Sequence, residues 1–233
     1  MYRTKTILGL IPAREGSRRL PKKNVLPFMG KPLILWTIKQ ALSSAHLDRV
    51  IVSTDSVKIA AISRRYGAEV PFIRPKNLAG DRAAMIDVLL HAIKSAQEKN
   101  ENYDLIMLLQ PTSPLRIGQD IDRAIKLLFR KKAQAIVSVC KAEHPPYWSR
   151  ILPKRGSMKN FINVDIPNKN KRVAPCYYRL NGAVYLAYCD YLKANKSFLG
   201  KKTYAYVMPQ ERSIDIDTKM DFKLAELLGK SKF

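Results

Sequence analysis

The stretch Ile7-Leu8-Gly9-Leu10-Ile11-Pro12-Ala13-Arg14-Glu15-Gly16-Ser17-Arg18-Arg19-Leu20-Pro21-Lys22-Lys23-Asn24 passes from an unbroken apolar run into a loop with five cations in the ten residues from Arg14 to Lys23. A short continuous apolar run that ends at turn residues is the pattern of a strand buried on both faces, as in a parallel sheet. The pattern recurs at 50–52, 105–109 and 135–139. Between these runs lie segments with helical spacing, such as Leu33, Trp36, Thr37, Gln40, Ala41 and Met85, Val88, Leu89, Ala92, Ile93. Strand and helix alternate, so the expected class is α/β, a mostly parallel sheet flanked by helices. Further strands are expected at 183–187 and 204–208, a helix over 118–131, and a last helix after Thr218.

The chain has 233 residues, 46% of them apolar, enough for one domain with a real core. No apolar run approaches the roughly 18 residues of a membrane span, and the first one runs directly into Pro12 and Arg14. Three scattered cysteines, Cys140, Cys176 and Cys189, exclude a disulfide scaffold and point to a reducing, cytoplasmic setting. The charge is lopsided, with 42 Lys and Arg against 19 Asp and Glu, a formal +23. An anionic partner is expected. A nucleic-acid binder is the rival reading, but no helix-turn-helix, zinc-finger or RNP-like pattern supports it. From 141 to 177 the periodicity lapses into basic, Pro-containing sequence, too long for an ordinary loop and expected to be an arm or lid inserted in the single domain.

Four segments carry chemistry. In an open α/β sheet, ligands bind beyond the carboxyl ends of strands, and the loop 12–24 leaves such an end. Gly16 and Ser17 allow backbone N–H groups close to phosphates, while Arg14, Arg18 and Lys23 supply charge-assisted hydrogen bonds, an inventory that suits a triphosphate. Neither a G-x-x-x-x-G-K-[ST] nor a G-x-G-x-x-G motif occurs, which disfavours a P-loop ATPase and a dinucleotide dehydrogenase. In Ser213-Ile214-Asp215-Ile216-Asp217-Thr218, read as a strand, Asp215 and Asp217 project to one side, a pair of hard oxygen ligands for Mg²⁺ bridging phosphates. The alternative role there is capping of the last helix, and the two are compatible. Gln110, at a strand end before a Pro-fixed turn, can both donate to and accept from a base edge or sugar hydroxyl. In Tyr177-Tyr178-Arg179-Leu180-Asn181-Gly182-Ala183-Val184-Tyr185, read as a Gly turn, Arg179 suits a carboxylate and Asn181 a hydroxyl or amide.

Taken in order, IPAREGSRRLPKKN (11–24), IVSTDS (51–56), LLQPTSPLR (108–116), YRLNGAVY (178–185) and SIDIDT (213–218) resemble the CMP-nonulosonate synthetases, the N-acylneuraminate and legionaminate cytidylyltransferases. The resemblance implies a Rossmann-like nucleotidyltransferase fold with an extended dimerisation arm. It also implies Mg²⁺-dependent transfer of CMP from CTP to the anomeric hydroxyl of a nine-carbon 2-keto sugar acid, in a homodimer with no functional nucleic acid and no membrane insertion. Cytidylyltransferases for pseudaminate or an eight-carbon keto-deoxy sugar acid are the nearest alternatives. Carried over, Arg14, Ser17, Arg18, Lys23 and Asn24 hold the nucleotide and its phosphates, and Arg74 and Met85 lie at the cytosine. Gln110, Arg179, Asn181, Tyr185 and, from the arm, Lys171 or Arg172 hold the sugar acid, and Asp215 with Asp217 the metal. Two departures stand out: Glu15 is an extra carboxylate beside the phosphates, and Met85 stands where a hydroxyl residue is common and cannot make its hydrogen bond.

Overall fold

The computed structural model describes residues 1–159, 161 and 175–230. Six strands form one sheet: β1 (Ile7–Pro12), β4 (Arg49–Ser53), β5 (Leu105–Leu108), β6 (Ala135–Lys141), β7 (Tyr178–Tyr188) and β8 (Thr203–Val207). Two short strands, β2 (Pro27–Phe28) and β3 (Lys31–Pro32), pair separately. The sheet order is β4-β1-β5-β7-β6-β8; β7 alone runs against its neighbours β5 and β6.

The apolar runs end up buried on both faces because their side chains alternate between two helical layers. On one side Ile7, Ile11, Leu105 and Met107 pack with α1 (Leu33–Leu42), α2 (Val57–Arg65) and α4 (Gly118–Arg130). On the other, Leu8, Leu10, Ile106 and Leu108 meet Val88, Leu89, Ala92 and Ile93 of α3 (Met85–Gln97) and Leu192 of α5 (Cys189–Asn195). A third cluster joins Leu20, Phe28, Leu33 and Leu115 to Ile216 and Ala225, docking α6 (Lys219–Lys230) beside the loop that follows β1.

Two expectations change. The segment 213–217 joins no strand ladder; Ile216 N–H donates to the Thr112 carbonyl at 2.8 Å, and Ile216 is fully buried. Tertiary contact, not sheet pairing, therefore sets the direction of its aspartates. The Asn181-Gly182 pair is not a turn between elements but lies inside β7. Val137 pairs with Tyr185 and Val139 with Leu180, so two steps along β6 face five along β7. The surplus is a bulge, and Gly182 takes φ +71° within it, a conformation that favours glycine.

Between Lys141, the end of β6, and Tyr178, the start of β7, the described residues hold a single short helical turn at Pro146–Trp148. Lys171 and Arg172, expected to act from an arm, lie outside the described residues.

Candidate active site

The carboxyl ends of β1 and β5 and the segment before α6 frame a cleft of about 480 Å³. Arg14, Ser17, Arg18, Arg19, Lys23 and Asn24 form one wall, Arg74, Asp81 and Met85 a second, and Gln110, Thr112, Asp215 and Asp217 a third. The loop after β1 is anchored from beneath by Asn24, itself buried, whose Nδ2 donates to the Arg14 carbonyl at 2.9 Å. Asn24 therefore shapes the loop's backbone. Glu15 is exposed and is absent from the cleft lining; it borders an adjacent small cavity of about 60 Å³ with Lys22 and Lys58.

Two ion-pair groups organise the cations. Asp81 bridges Arg14, at 2.8 Å from its Nη1, and Arg18. Asp217 bridges Lys23 at 3.1 Å and Arg19 at 3.0 Å. Lys23 also donates to the Ile216 carbonyl at 2.6 Å, which locks its ammonium beside the aspartate pair. Arg74 is buried; its Nε donates to Ser53 Oγ at 2.9 Å, and a second nitrogen donates to the Ser53 carbonyl. Burial pushes its pKa down to about 10, against the support of Asp55, so it stays charged at neutral pH. It is a rigid donor at the cleft's inner end.

The aspartates differ. Thr218 and Asp221 form a reciprocal cap on α6: Asp221 accepts from the Thr218 N–H at 2.7 Å and its own N–H donates back to Thr218 Oγ1 at 3.2 Å. Asp221 also accepts from the Asp217 N–H at 3.0 Å, so the cap fixes the residue next to it. Asp215 opens onto the cleft but is crowded by protein. Burial first, then the like charge of Asp217, hold its carboxyl above the ordinary aspartate range, against a hydrogen bond from Thr112. A Cβ added at Gly182 would lie 3.4 Å from both Asp215 Oδ2 and Gln110 Oε1, so the β7 bulge is packed directly against the site. Gly182→Ala is expected to cost about 1–2 kcal/mol for its left-handed backbone alone. A urea titration checks this; an unchanged midpoint would show that the bulge relaxes freely.

A crowded carboxylate whose charge is opposed by burial and by a neighbouring aspartate is a donor that a hard cation relieves, so the pair fits Mg²⁺. Among the described residues no group of three or more His, Cys, Asp or Glu is placed to hold a metal. A cation on two carboxylates would complete its oxygen shell from phosphates and water.

The remaining expected residues, Asn181, Arg179 and Tyr185, are not part of the cleft lining. Asn181 is 1% exposed, and its amide is consumed inside: Oδ1 accepts from Ser138 Oγ at 2.6 Å and the Ala183 N–H at 3.2 Å, while Nδ2 donates to Ser213 Oγ at 2.9 Å. The structure thus corrects its expected role as a sugar contact, because a saturated, buried amide has nothing left to offer a ligand. It ties the bulge to the residue that begins the aspartate segment. Arg179 forms a fork with Glu143 at 2.8–2.9 Å, and Tyr185 packs on Phe198 with ring centroids 5.3 Å apart. Both lie outside the cleft lining. Conversely, Arg19, Asp81 and Thr112 line it and were not singled out in the sequence, although Arg19 lies in the cationic loop and Thr112 in the LLQPTSPLR motif.

The sequence signature described as Cytidylyltransferase matches residues 8–228. The chain belongs to the cytidylyltransferase family. This cytidylyltransferase is 38% identical over 99% of its length to the N-acylneuraminate cytidylyltransferase of Escherichia coli O18:K1:H7, and spans about half (53%) of that protein. It is 36% identical to the CMP-N,N'-diacetyllegionaminic acid synthase of Legionella pneumophila, covering 95% of each chain. Its fold matches that of CMP:2-keto-3-deoxy-manno-octonic acid synthetase complexed with CTP, with a TM-score of 0.73 at 17% identity over 98% of this chain and all of that one. In this cytidylyltransferase no helix among the described residues is long and apolar enough to cross a membrane.

Proposed function

We propose that the protein transfers CMP from CTP to the anomeric hydroxyl of a nonulosonic acid, N-acetylneuraminate or N,N'-diacetyllegionaminate, releasing pyrophosphate. The single observation that supports this most is the coincidence, in one cleft, of the loop cations Arg14, Arg18, Arg19 and Lys23 with the Asp215 and Asp217 pair, in a chain so similar to proteins named for those two substrates. The anomeric oxygen attacks the α-phosphorus, the bond from that phosphorus to the bridging oxygen breaks, and the hydroxyl proton leaves to solvent or a base. Arg14, Arg18 and Lys23 balance the charge that gathers on the departing pyrophosphate, a stabilisation strongest in the transition state.

On this reading Asp215 and Asp217 hold Mg²⁺, which when bound supplies charge neutralisation at the phosphates and acidifies the attacking hydroxyl. Ser17 offers a hydroxyl to the phosphates from the same wall. Arg74, with Met85 at the start of α3, lies at the base, where the thioether contributes packing and Arg74 the hydrogen bonds. Gln110, beside Asp215, meets the sugar acid. The reaction consumes cytoplasmic CTP, and a homodimer completes the proposal.

The test is pyrophosphate release from CTP and Mg²⁺ with N-acetylneuraminate and with N,N'-diacetyllegionaminate, with UTP and ATP as controls. Release with CTP alone and with one of the two acids is expected, and the ratio of kcat/KM names the substrate. Release only with pseudaminate or an eight-carbon keto-deoxy acid would move the assignment within the family; silence with all four would overturn it.

A further inference from the structure

A carboxylate in the wall of a triphosphate cleft repels the substrate, yet Asp81 sits there, between Arg14 and Arg18. Both arginines belong to the loop after β1; Asp81 comes from the segment leading into α3. Arg14 also donates weakly to the Ala79 carbonyl at 3.5 Å, so the two segments meet at several points. The Arg18 side chain is 77% exposed, and Arg14 and Asp81 are each about a third exposed, so solvent screens both pairs. An ion pair in such a setting is weak and reversible. Arg14 also faces the buried charge of Arg74, so without a carboxylate these cations would repel one another. The fork of two arginines around one carboxylate has the geometry by which arginines hold a phosphate.

We propose that Asp81 is an internal competitor for the phosphate site: it holds Arg14 and Arg18 until a polyphosphate displaces it, and takes them back as pyrophosphate leaves. This rests on the nucleotidyl-transfer reading for its consequence in turnover, but the exchange itself is a property of the site and is measurable without turnover. Asp81 then lowers affinity for both CTP and pyrophosphate, and spares the enzyme from retaining its own product. The carboxylate is held below the usual range by the Arg14 guanidinium, so it stays ionised and able to compete throughout the neutral range.

The experiment is calorimetric titration of the full chain with pyrophosphate, comparing wild type, Asp81→Asn, Asp81→Glu and Asp190→Asn. Asp190 is a control for net charge, since its side chain is 95% exposed on α5. Asp81→Asn is expected to bind pyrophosphate about three- to fivefold more tightly than wild type, the scale of one exposed ion pair, with the gap closing at high salt. Asp81→Glu is expected to regain wild-type affinity, and Asp190→Asn to keep it. In turnover, the KM for CTP and the inhibition constant of pyrophosphate fall together in Asp81→Asn while kcat does not rise. Unchanged or weaker pyrophosphate binding in Asp81→Asn, with Asp81→Ser agreeing, would overturn the proposal. A wild type that binds pyrophosphate but turns over no sugar acid would instead count against the nucleotidyl-transfer reading alone.

Discussion

Asp215→Asn is expected to lower kcat by about 10²–10³-fold at saturating CTP and Mg²⁺, the loss typical of removing one preorganised electrostatic contact from a transition state. The substitution is isosteric and keeps an oxygen for the Thr112 hydrogen bond, so what disappears is the charge that would hold the cation. The same change is expected to raise stability at neutral pH. The folded carboxyl has a raised pKa, so its ionised form costs folding free energy above the ordinary aspartate range. The amide escapes that cost, and the advantage vanishes at low pH, where the carboxyl is protonated in both folded and unfolded chains. Turnover and urea unfolding measured side by side decide the matter. Full activity at saturating Mg²⁺ in Asp215→Asn, or in Asp217→Asn, would remove that residue from the metal site; loss of both activity and stability would mean that the site had collapsed. A stable, inactive protein is the signature of a residue placed for chemistry at the expense of the fold.

Arg116→Met is expected to destabilise the protein by about 3–4 kcal/mol, because it strands several buried acceptors at once. Arg116 is completely buried; it donates to the Ala183 carbonyl at 2.5 Å, to Thr37 Oγ1 at 3.0 Å and to Gln40 Oε1 at 3.2 Å. Those partners belong to the β7 bulge and to α1, so one guanidinium ties the turn after Gln110 to both. Burial pushes its pKa down to about 9, against the charge of Asp120, which favours the cation, so the side chain stays charged at neutral pH. Its Nε has no partner among the described residues, so part of the cost of burying the guanidinium is left uncompensated. Lysine at this position offers a point charge in place of a planar fork and is expected to recover only part of the loss. Urea midpoints of the wild type, Met and Lys variants test this. A change below about 1 kcal/mol would mean that packing, not the hydrogen bonds, holds the bulge.

The consequence reaches the site. Arg116 grips the bulge at Ala183, Asn181 grips it from within and reaches Ser213, and Gly182 between them lies against Asp215 and Gln110. Burying a guanidinium and an amide is costly unless every hydrogen bond is well made. Here the return is a fixed distance between β7 and the aspartate segment, two parts of the chain more than thirty residues apart.

Much of this was legible without coordinates. The apolar runs at 7–11, 50–52, 105–109 and 135–139 reported buried strands because a side-chain period is local, and the cationic loop after the first of them marked the edge where the cleft lies for the same reason. The spacing of Asp215 and Asp217 reads as two carboxylates on one side of a strand; both line the cleft, although the segment joins no ladder. By itself, then, the sequence determined the α/β class, the cation-rich loop that lines the cleft and the aspartate pair opposite it. Only the tertiary structure decided which acid neutralises which cation, since Arg14 and Asp81 lie far apart in sequence and meet only where two loops cross the sheet edge. It also decided that Asn181 turns inward and Arg116 is buried. An amide or guanidinium shows its chemistry in the sequence, but whether it is free for a ligand depends on which hydrogen bonds the fold has already taken, and those are made by partners that only the order of the strands brings together.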